Sequence, residues 1–230
     1  HHRILKEEKS FPVSVLPAFR PDKALAIDSP ALFNRWVASL EAATNMDISD
    51  YTSFLEAVRK RHDFFHEAGC RLSDHGIEHP YAVVFTAKEA ARAFDKARRG
   101  KTPTAGECLK YKSATMIALA SMNAEKGWVQ QLHMGALRNV NSRALKALGP
   151  DTGYDTIGDF EMAVALARFL DRLERDGRLA KTVLYAMNPR DNELLATAIG
   201  CFQDGVTPGK MQLGSAWWFN DQKDGIERQI

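Results

Sequence analysis

Ionisable side chains directly follow short apolar segments at several points of this 230-residue sequence. Asp74 and His75 come after the segment 70–73, and His133 comes after the segment 129–132. An imidazole near a carboxylate can transfer protons at neutral pH, because the carboxylate orients the ring and fixes its tautomer. These three residues are therefore candidate general acids or bases. Since adjacent residues of an extended strand point to opposite sides, Asp74 and His75 are not expected to pair with each other.

Other side chains at such positions suit the binding of an anionic or ring-shaped ligand. Arg20 lies in the turn after the first apolar segment, and its planar guanidinium matches the two oxygens of a carboxylate. Trp217, the first of two consecutive tryptophans, can pack on the apolar face of a sugar ring. Arg138 could line the same rim. Each residue also has a structural alternative, such as an Arg20 ion pair with Asp22 in a stable turn or a tryptophan in the core.

Strong metal-ligand motifs are absent from the sequence. His62 and His66 are spaced i, i+4 on a predicted helix, but they flank a core phenylalanine without a carboxylate that would complete a site. The three cysteines, Cys70, Cys108 and Cys201, are far apart in the sequence. This usage indicates a reducing cytoplasm rather than a disulfide framework or a zinc knuckle.

The composition is typical of a globular protein and excludes several classes of function. Hydrophobic residues make up 45% of the chain and charged residues 26%, which excludes a disordered chain. No segment approaches the ~20 consecutive apolar residues of a transmembrane helix. A net charge of +2 is too small to indicate nucleic-acid binding. We therefore expect neither a nucleic acid nor a membrane as a partner.

Short apolar segments alternate with amphipathic segments along the chain. Strands are predicted at residues 11–16, 70–73, 128–132, 182–186 and 211–213. Capping boxes at 53–56, 86–89 and 104–107 predict helix starts, and further helices are predicted from 156–159, after 188–191 and over 223–230.

This alternation predicts an α/β fold with a parallel sheet and helical crossovers. Five strands fit either a doubly wound sheet or part of a (β/α)8 TIM barrel. Polar residues at the strand ends favour the barrel, whose active sites lie at the carboxyl ends of its strands, and a glycine-rich phosphate loop is absent. We predict one partial TIM-barrel domain over residues 1–230, roughly the middle five βα units, with a helical insertion at residues 28–69.

Several longer segments, in this order, resemble the uronate isomerases (glucuronate isomerases), a divergent family of the amidohydrolase superfamily. They are VLPAFRPDKA (15–24), SDHG (73–76), LHMGALRN (132–139), GPDTG (149–153), LYAMNPRDNE (184–193) and WWFNDQ (217–222). The resemblance covers nearly all of the chain. It implies a (β/α)8 barrel that interconverts D-glucuronate with D-fructuronate, and D-galacturonate with D-tagaturonate, by moving a proton between C2 and C1 through an enediol.

The resemblance also implies roles for particular residues. Among the positions that match the family's active site, the catalytic candidates are His133, Asp74 and His75. The candidates for binding the hexuronate substrate are Arg20 and Trp217, together with Arg138 on the same rim. The implied cofactor is a divalent metal, with zinc expected. The family's paired metal histidines and its Asp-x-Arg motif are not found here, so the main metal ligands are expected outside this chain.

The chain starts with His1-His2-Arg3 rather than methionine, and with the missing motifs this suggests the middle of a longer enzyme. We expect the 230-residue segment alone to be inactive and, because a partial barrel exposes sheet edges, to form a homo-oligomer or to be prone to aggregation. Two alternatives remain open. One is a non-catalytic or incomplete barrel that binds sugar acids. The other is a related metal-dependent amidohydrolase, which would need a histidine within 182–186 that the sequence lacks.

Overall fold

The computed structural model describes residues 2–8, 10 and 12–229 of the chain. Over these residues the helices are α1 (His2–Glu7), α2 (Pro30–Thr44), α3 (Tyr51–Glu67), α4 (Ala87–Arg98), α5 (Ala105–Glu125), α6 (Ser142–Leu148), α7 (Ala163–Arg175), α8 (Asn192–Cys201) and α9 (Lys223–Glu227). The strands are β1 (Leu72–Ile77), β2 (Val129–Met134), β3 (Ala136–Leu137), β4 (Thr156–Ile157), β5 (Thr182–Ala186) and β6 (Met211–Leu213). None of the described helices is long and apolar enough to span a membrane.

Four of the strands form one parallel sheet in the order β1-β2-β5-β6. Helices α4 and α5 connect β1 to β2, α6 and α7 lie between β2 and β5, and α8 connects β5 to β6. The short strands β3 and β4 pair antiparallel beyond the end of β2. The predicted α/β fold with a parallel sheet and helical crossovers is therefore confirmed.

The predicted strand at 11–16 is wrong. Phe11 lies outside the described residues, and residues 12–16 form no strand. Prolines at positions 12 and 17 cannot donate to a sheet ladder, which explains why this apolar segment does not pair. The contact with the sheet comes later, where Phe19 forms a single parallel bridge with Ser73.

Capping boxes start helices α3, α4 and α5. The predicted boxes at Thr86 and Thr104 are confirmed, with each hydroxyl accepting a hydrogen bond from the backbone N–H three residues on. For α3 the prediction was wrong by one turn, because Asp50 is the N-cap and Ser53 is the third helical residue of its box. Aspartate and serine can both cap a helix, and here Asp50, three residues before Ser53, takes the N-cap position.

The predicted helix start at 156–159 is also wrong. Thr156 pairs with Leu137 in the β3–β4 ribbon, and α7 begins only at Ala163. A threonine followed by an acidic residue three positions on resembles a capping box, but here the threonine backbone is engaged in a strand pair.

Alternation along the strands gives the parallel sheet two different faces. In β1, Ser73, His75 and Ile77 are buried, whereas the intervening residues are half-buried. Strand β2 repeats this pattern, with Leu132 buried and His133 half-buried. The buried face packs with the helices in one hydrophobic core. The half-buried face is therefore free to carry polar chemistry.

Aromatic side chains join α2 and α3 to α4 and α5. Phe33, Phe54, Phe94 and Tyr111 are fully buried, and the rings of Phe54 and Phe94 lie 5.2 Å apart. Burial of each such ring contributes about 1.5–3 kcal/mol to stability. Helices α2 and α3, within the segment predicted as a helical insertion, thus share the core of the helices that follow.

A buried polar network lies beneath the parallel sheet. His62 Nε2 and Asn123 Oδ1 are 3.1 Å apart, and Asn123 Nδ2 donates to Ser73 Oγ at 2.8 Å and to Gln130 Oε1 at 3.3 Å. His75 Nε2 contacts the same Ser73 hydroxyl at 3.2 Å. The network connects α3 and α5 to strands β1 and β2, because buried polar groups must find partners within the protein.

We expect Asn123→Ala to destabilise the protein by about 2–4 kcal/mol, because it removes hydrogen bonds from buried partners on three elements. The measurement is the free energy of unfolding in urea. The matched control is Ser121→Ala on the same helix, whose hydroxyl bonds only to the Ile117 carbonyl. A loss for Asn123→Ala no larger than that of the control would contradict a structural role for the network.

Acid should destabilise the fold through His75. Complete burial lowers the pKa of His75 from 6.5 to about 4, so the folded protein keeps the ring neutral where the unfolded chain protonates it. The unfolded state then binds more protons, and stability falls as the pH decreases from about 6.5 to 4, by about 3 kcal/mol from this group.

Urea unfolding across this pH range measures the effect. His75→Leu should flatten the decline, leaving the part due to His62, whose pKa is also lowered by burial. An equally steep decline in His75→Leu would show that His75 is not the group responsible.

Candidate active site

A carboxylate–imidazole pair joins β1 to β2 on the half-buried face of the sheet. His133 Nδ1 lies 2.7 Å from Asp74 Oδ1. Burial acts to raise the pKa of Asp74, but the hydrogen bond from His133 and the charges of His133 and Arg20 outweigh it, so the pKa is lowered. An ionised carboxylate only accepts hydrogen bonds, so Nδ1 carries the proton. Among the described residues Nε2 of His133 has no hydrogen-bond partner and is left for a ligand.

Arg20 binds the second oxygen of the same carboxylate. Its Nε lies 3.0 Å from Asp74 Oδ2, and its side chain is 54% exposed. The bridge at Phe19 explains this placement, because Asp74 N donates to the Phe19 carbonyl at 2.9 Å and brings the next residue beside the carboxylate. The Arg20 side chain is thus held by Asp74 and still accessible to a ligand.

Asp22 forms the other side of the Arg20 environment. Its Oδ2 lies 3.3 Å from Arg20 Nη2, and its Oδ1 accepts a hydrogen bond from Gly76 N at 3.2 Å. Burial raises the pKa of Asp22, against the opposing effects of Arg20 and of the Gly76 hydrogen bond. Arg20 therefore forms the predicted ion pair with Asp22 and also takes part in the candidate site through Asp74.

Arg138 converges on the same place from the segment after β2. A Cβ atom built on Gly76 would lie 3.5 Å from Arg20 Nη2, 3.8 Å from Asp22 Oδ2 and 4.0 Å from Arg138 Nη2. Arg138 Nη1 donates to Asp155 Oδ2 at 2.9 Å, which holds the side chain over Gly76. Two guanidinium groups therefore lie close together at the carboxyl end of β1, where they could bind an anion.

Two aromatic rings pack against the His133 imidazole. Trp217 meets the imidazole edge to face, with ring centroids 4.6 Å apart, and Tyr185 stacks on it at 4.1 Å with an interplanar angle of 11°. Trp218 instead lies under Arg138, 4.7 Å from the guanidinium carbon. Of the two consecutive tryptophans, Trp217 therefore faces the imidazole.

The turn that contains these tryptophans has a strained backbone and is held in place by hydrogen bonds from Asn220. Trp218 has φ 53°, a left-handed conformation that is costly for a bulky residue. Asn220 compensates, since its Nδ2 donates to the carbonyls of Ala186 and Met187 at 3.2 and 3.0 Å. The strained turn is thereby fixed to the carboxyl end of β5.

Of the six predicted site residues the structure brings together five: Arg20, Asp74, His133, Arg138 and Trp217. His75 is the exception, because it lies on the opposite, fully buried face of β1 in contact with Ser73. Asp74 and His75 do not pair, as expected from strand geometry. The separation follows from the two-residue period of a strand.

Two residues of this cluster were missed as site residues by sequence reasoning, Tyr185 and Asp22. The strand 182–186 reads as an apolar core strand, and the register that places Tyr185 beside His133 is a pairing of distant segments. The one available signal was the two-residue period of a strand, which puts Tyr185 on the face opposite Leu184. Asp22 appeared only as a turn partner of Arg20.

A metal site is not found within the described residues. No three His, Cys, Asp or Glu side chains among them lie close enough to hold a metal ion. Asp74 is already bound on both oxygens, by His133 and Arg20. His62 contacts Asn123, and His66 Nδ1 accepts a hydrogen bond from Trp128 Nε1 at 2.9 Å. These residues therefore do not fit the zinc that the family resemblance implies.

Known proteins similar to this chain include several uronate isomerases. Uronate isomerases of Bacteroides fragilis and Caldanaerobacter subterraneus subsp. tengcongensis are 52% and 50% identical to it, over 100% of this chain and 49% of each relative. The chain thus spans about half the length of the curated relatives that it matches.

Solved structures give the same result. The crystal structure of uronate isomerase from Thermotoga maritima matches with a TM-score of 0.91 and 35% identity, over 100% of this chain and 49% of that one. Glucuronate isomerase from Caulobacter crescentus matches with a TM-score of 0.85 and 29% identity, over 100% and 46% of the two chains. A family model described as glucuronate isomerase matches residues 1–230. The chain belongs to the glucuronate isomerase family.

Proposed function

We propose that this sequence is part of an aldose–ketose isomerase of hexuronates, which interconverts D-glucuronate with D-fructuronate and D-galacturonate with D-tagaturonate. The observation that carries the proposal is the His133–Asp74 pair, with a 2.7 Å contact, next to two guanidinium groups at the carboxyl ends of parallel strands. A proton carrier beside an anion-binding group is what the isomerisation of a sugar acid requires.

His133 acts at the reacting end of the sugar. Asp74 accepts the Nδ1 proton and holds the ring in the tautomer whose Nε2 is unprotonated. Nε2 can then accept a proton as the enediol forms from the aldose, and return one as the ketose forms. A positioned general acid or base of this kind contributes about 10²–10⁴-fold to the rate.

Arg20, Arg138 and Trp217 bind the substrate. The exposed part of the Arg20 guanidinium offers donors to a substrate carboxylate or hydroxyl, and Arg138 adds a second positive charge nearby. Trp217 provides an apolar surface for the sugar ring beside His133. His75 supports β1 from the buried face, and we assign it no contact with the substrate.

We further propose that the parallel sheet is the middle part of a (β/α)8 barrel. In support, the strand order follows the chain order without the reversal that marks a doubly wound sheet. The candidate site also lies at the carboxyl ends of the strands, as in such barrels. The full activity belongs to a protein of the relatives' length, of which this chain spans about half.

We assign no part of the reaction to the zinc that the resemblance implies, because the described residues do not form a site for it. For the cell compartment, the three unpaired cysteines support the reducing cytoplasm. The exposed edges of a partial sheet support self-association of the isolated segment.

Removal of His133 tests the catalytic assignment. In the longest natural reading frame that contains this sequence, His133→Asn should lower kcat for D-glucuronate by about 10²–10⁴-fold, since the proton carrier is lost. NMR in D2O measures ketose formation and exchange of the C2 proton. His79→Asn, on the loop after β1, is the matched control and should keep the wild-type rate.

Removal of Arg20 tests substrate binding. Arg20→Met should raise KM by about 10-fold or more, because a charge-assisted contact of about 1.5–3 kcal/mol is lost. Arg175→Met is the control, since Arg175 is 66% exposed and, among the residues that the structure describes, forms an ion pair only with Asp171. Equal KM values for the two variants would contradict the role of Arg20.

Failure of the unmodified protein to exchange the C2 proton or form ketose would overturn the isomerase proposal. Calorimetric titration with D-glucuronate would then test the alternative, a barrel that binds sugar acids without turnover.

A further inference from the structure

One cross-sheet row of the half-buried face contains two rings between two glycines. The register aligns Gly76 of β1 with His133 of β2, and His133 with Tyr185 of β5. Gly214 follows β6 and donates its N–H to the Leu184 carbonyl at 2.8 Å, next to Tyr185. The His133 and Tyr185 rings are thus the only side chains of this four-strand row.

The stack between these rings is close and nearly parallel. Their centroids lie 4.1 Å apart with an interplanar angle of 11°. Stacked aromatic pairs contribute about 0.5–1.5 kcal/mol beyond the area that they bury. The Tyr185 ring can therefore resist rotation of the imidazole out of its hydrogen bond with Asp74.

Gly214 fixes the other side of the tyrosine ring. A Cβ atom on Gly214 would lie 2.2 Å from Tyr185 Cδ1 and Cε1, a distance that no side chain can occupy. The tyrosine ring thus fills the space between the Gly214 backbone and the imidazole. A larger residue at position 214 would force the ring to move.

We propose that Tyr185 is a positioning residue, whose ring, packed against Gly214, holds the His133 imidazole so that Nε2 faces the open side of the sheet. This inference rests on the proposed isomerase function. The ring acts through His133, and the Tyr185 hydroxyl has no part in the reaction.

Replacement of the ring tests the proposal in the longest natural reading frame that contains the sequence. Tyr185→Leu should lower kcat about 10- to 100-fold with little change in KM, because a misplaced proton carrier slows the chemical step but not substrate binding. Tyr185→Phe keeps the stack and should restore kcat to within about threefold of the wild-type value. The acidic limb of the kcat/KM profile should shift in Tyr185→Leu and not in Tyr185→Phe.

NMR of the His133 Cε1–H group gives a readout that does not depend on activity. The stacked ring shields this proton in the wild type, so its resonance should move downfield in Tyr185→Leu and stay in place in Tyr185→Phe. If the wild-type protein forms no ketose, the isomerase proposal fails, while the NMR still tests the positioning: the shift shows that the rings stack, and a loss of the Nδ1-protonated tautomer of His133 in Tyr185→Leu shows that the stack positions the imidazole.

Gly214→Ala provides a second test that leaves both rings intact. It should displace the Tyr185 ring, move the His133 resonance and lower kcat about 10-fold or more. Gly200→Ala is the matched control, because a Cβ atom there meets nothing within 4 Å. If Tyr185→Leu does not fold, Gly214→Ala and Tyr185→Met decide the matter by the same measurements.

Two results would overturn the proposal. A folded Tyr185→Leu with wild-type kcat and pH profile would show that the stack positions nothing. A loss in Tyr185→Phe as large as that in Tyr185→Leu would show that the hydroxyl acts directly, and that Tyr185 is a catalytic residue rather than a positioning one.

Discussion

The hydrogen bond between His133 Nδ1 and Asp74 Oδ1 holds together the centre of the candidate site. It crosses from β2 to β1 diagonally, since Asp74 is aligned with Gln131 and His133 with Gly76. It occupies one carboxylate oxygen and leaves the other for Arg20, so the cation and the imidazole are held by the same group. The bond also decides which imidazole nitrogen is protonated, and so what the ring can do chemically.

Strand alternation separates the chemistry from the support of the fold. On the buried face of β1, His75 and Ser73 join a polar network with His62 and Asn123 that connects the helices to the sheet. On the other face Asp74 is half-buried and remains ionised. Two neighbouring residues of one strand therefore have opposite environments, one that keeps a histidine neutral and one that keeps a carboxylate charged.

Local sequence patterns predicted much of this arrangement and failed where distant segments decide. Apolar segments located strands β1 and β2 but ended them too early, since Asp74 and His133 lie within these strands rather than after them. Capping boxes marked the starts of α4 and α5, because this signal is complete within a few residues. The stack of Tyr185 on His133 depends on the register between β2 and β5, which no local pattern contains. The strand predicted at 11–16 failed for a related reason: apolar composition indicates burial, but proline decides whether a ladder can form.

The tautomer of His133 is the most direct test of the account. Nitrogen-15 NMR of the histidine side chains at mildly alkaline pH distinguishes a protonated from an unprotonated ring nitrogen. The account predicts that His133 is protonated at Nδ1 and unprotonated at Nε2, and that Asp74→Ala abolishes this preference. A His133 ring protonated at Nε2 in the wild-type protein, or one whose tautomer is unchanged in Asp74→Ala, would contradict it.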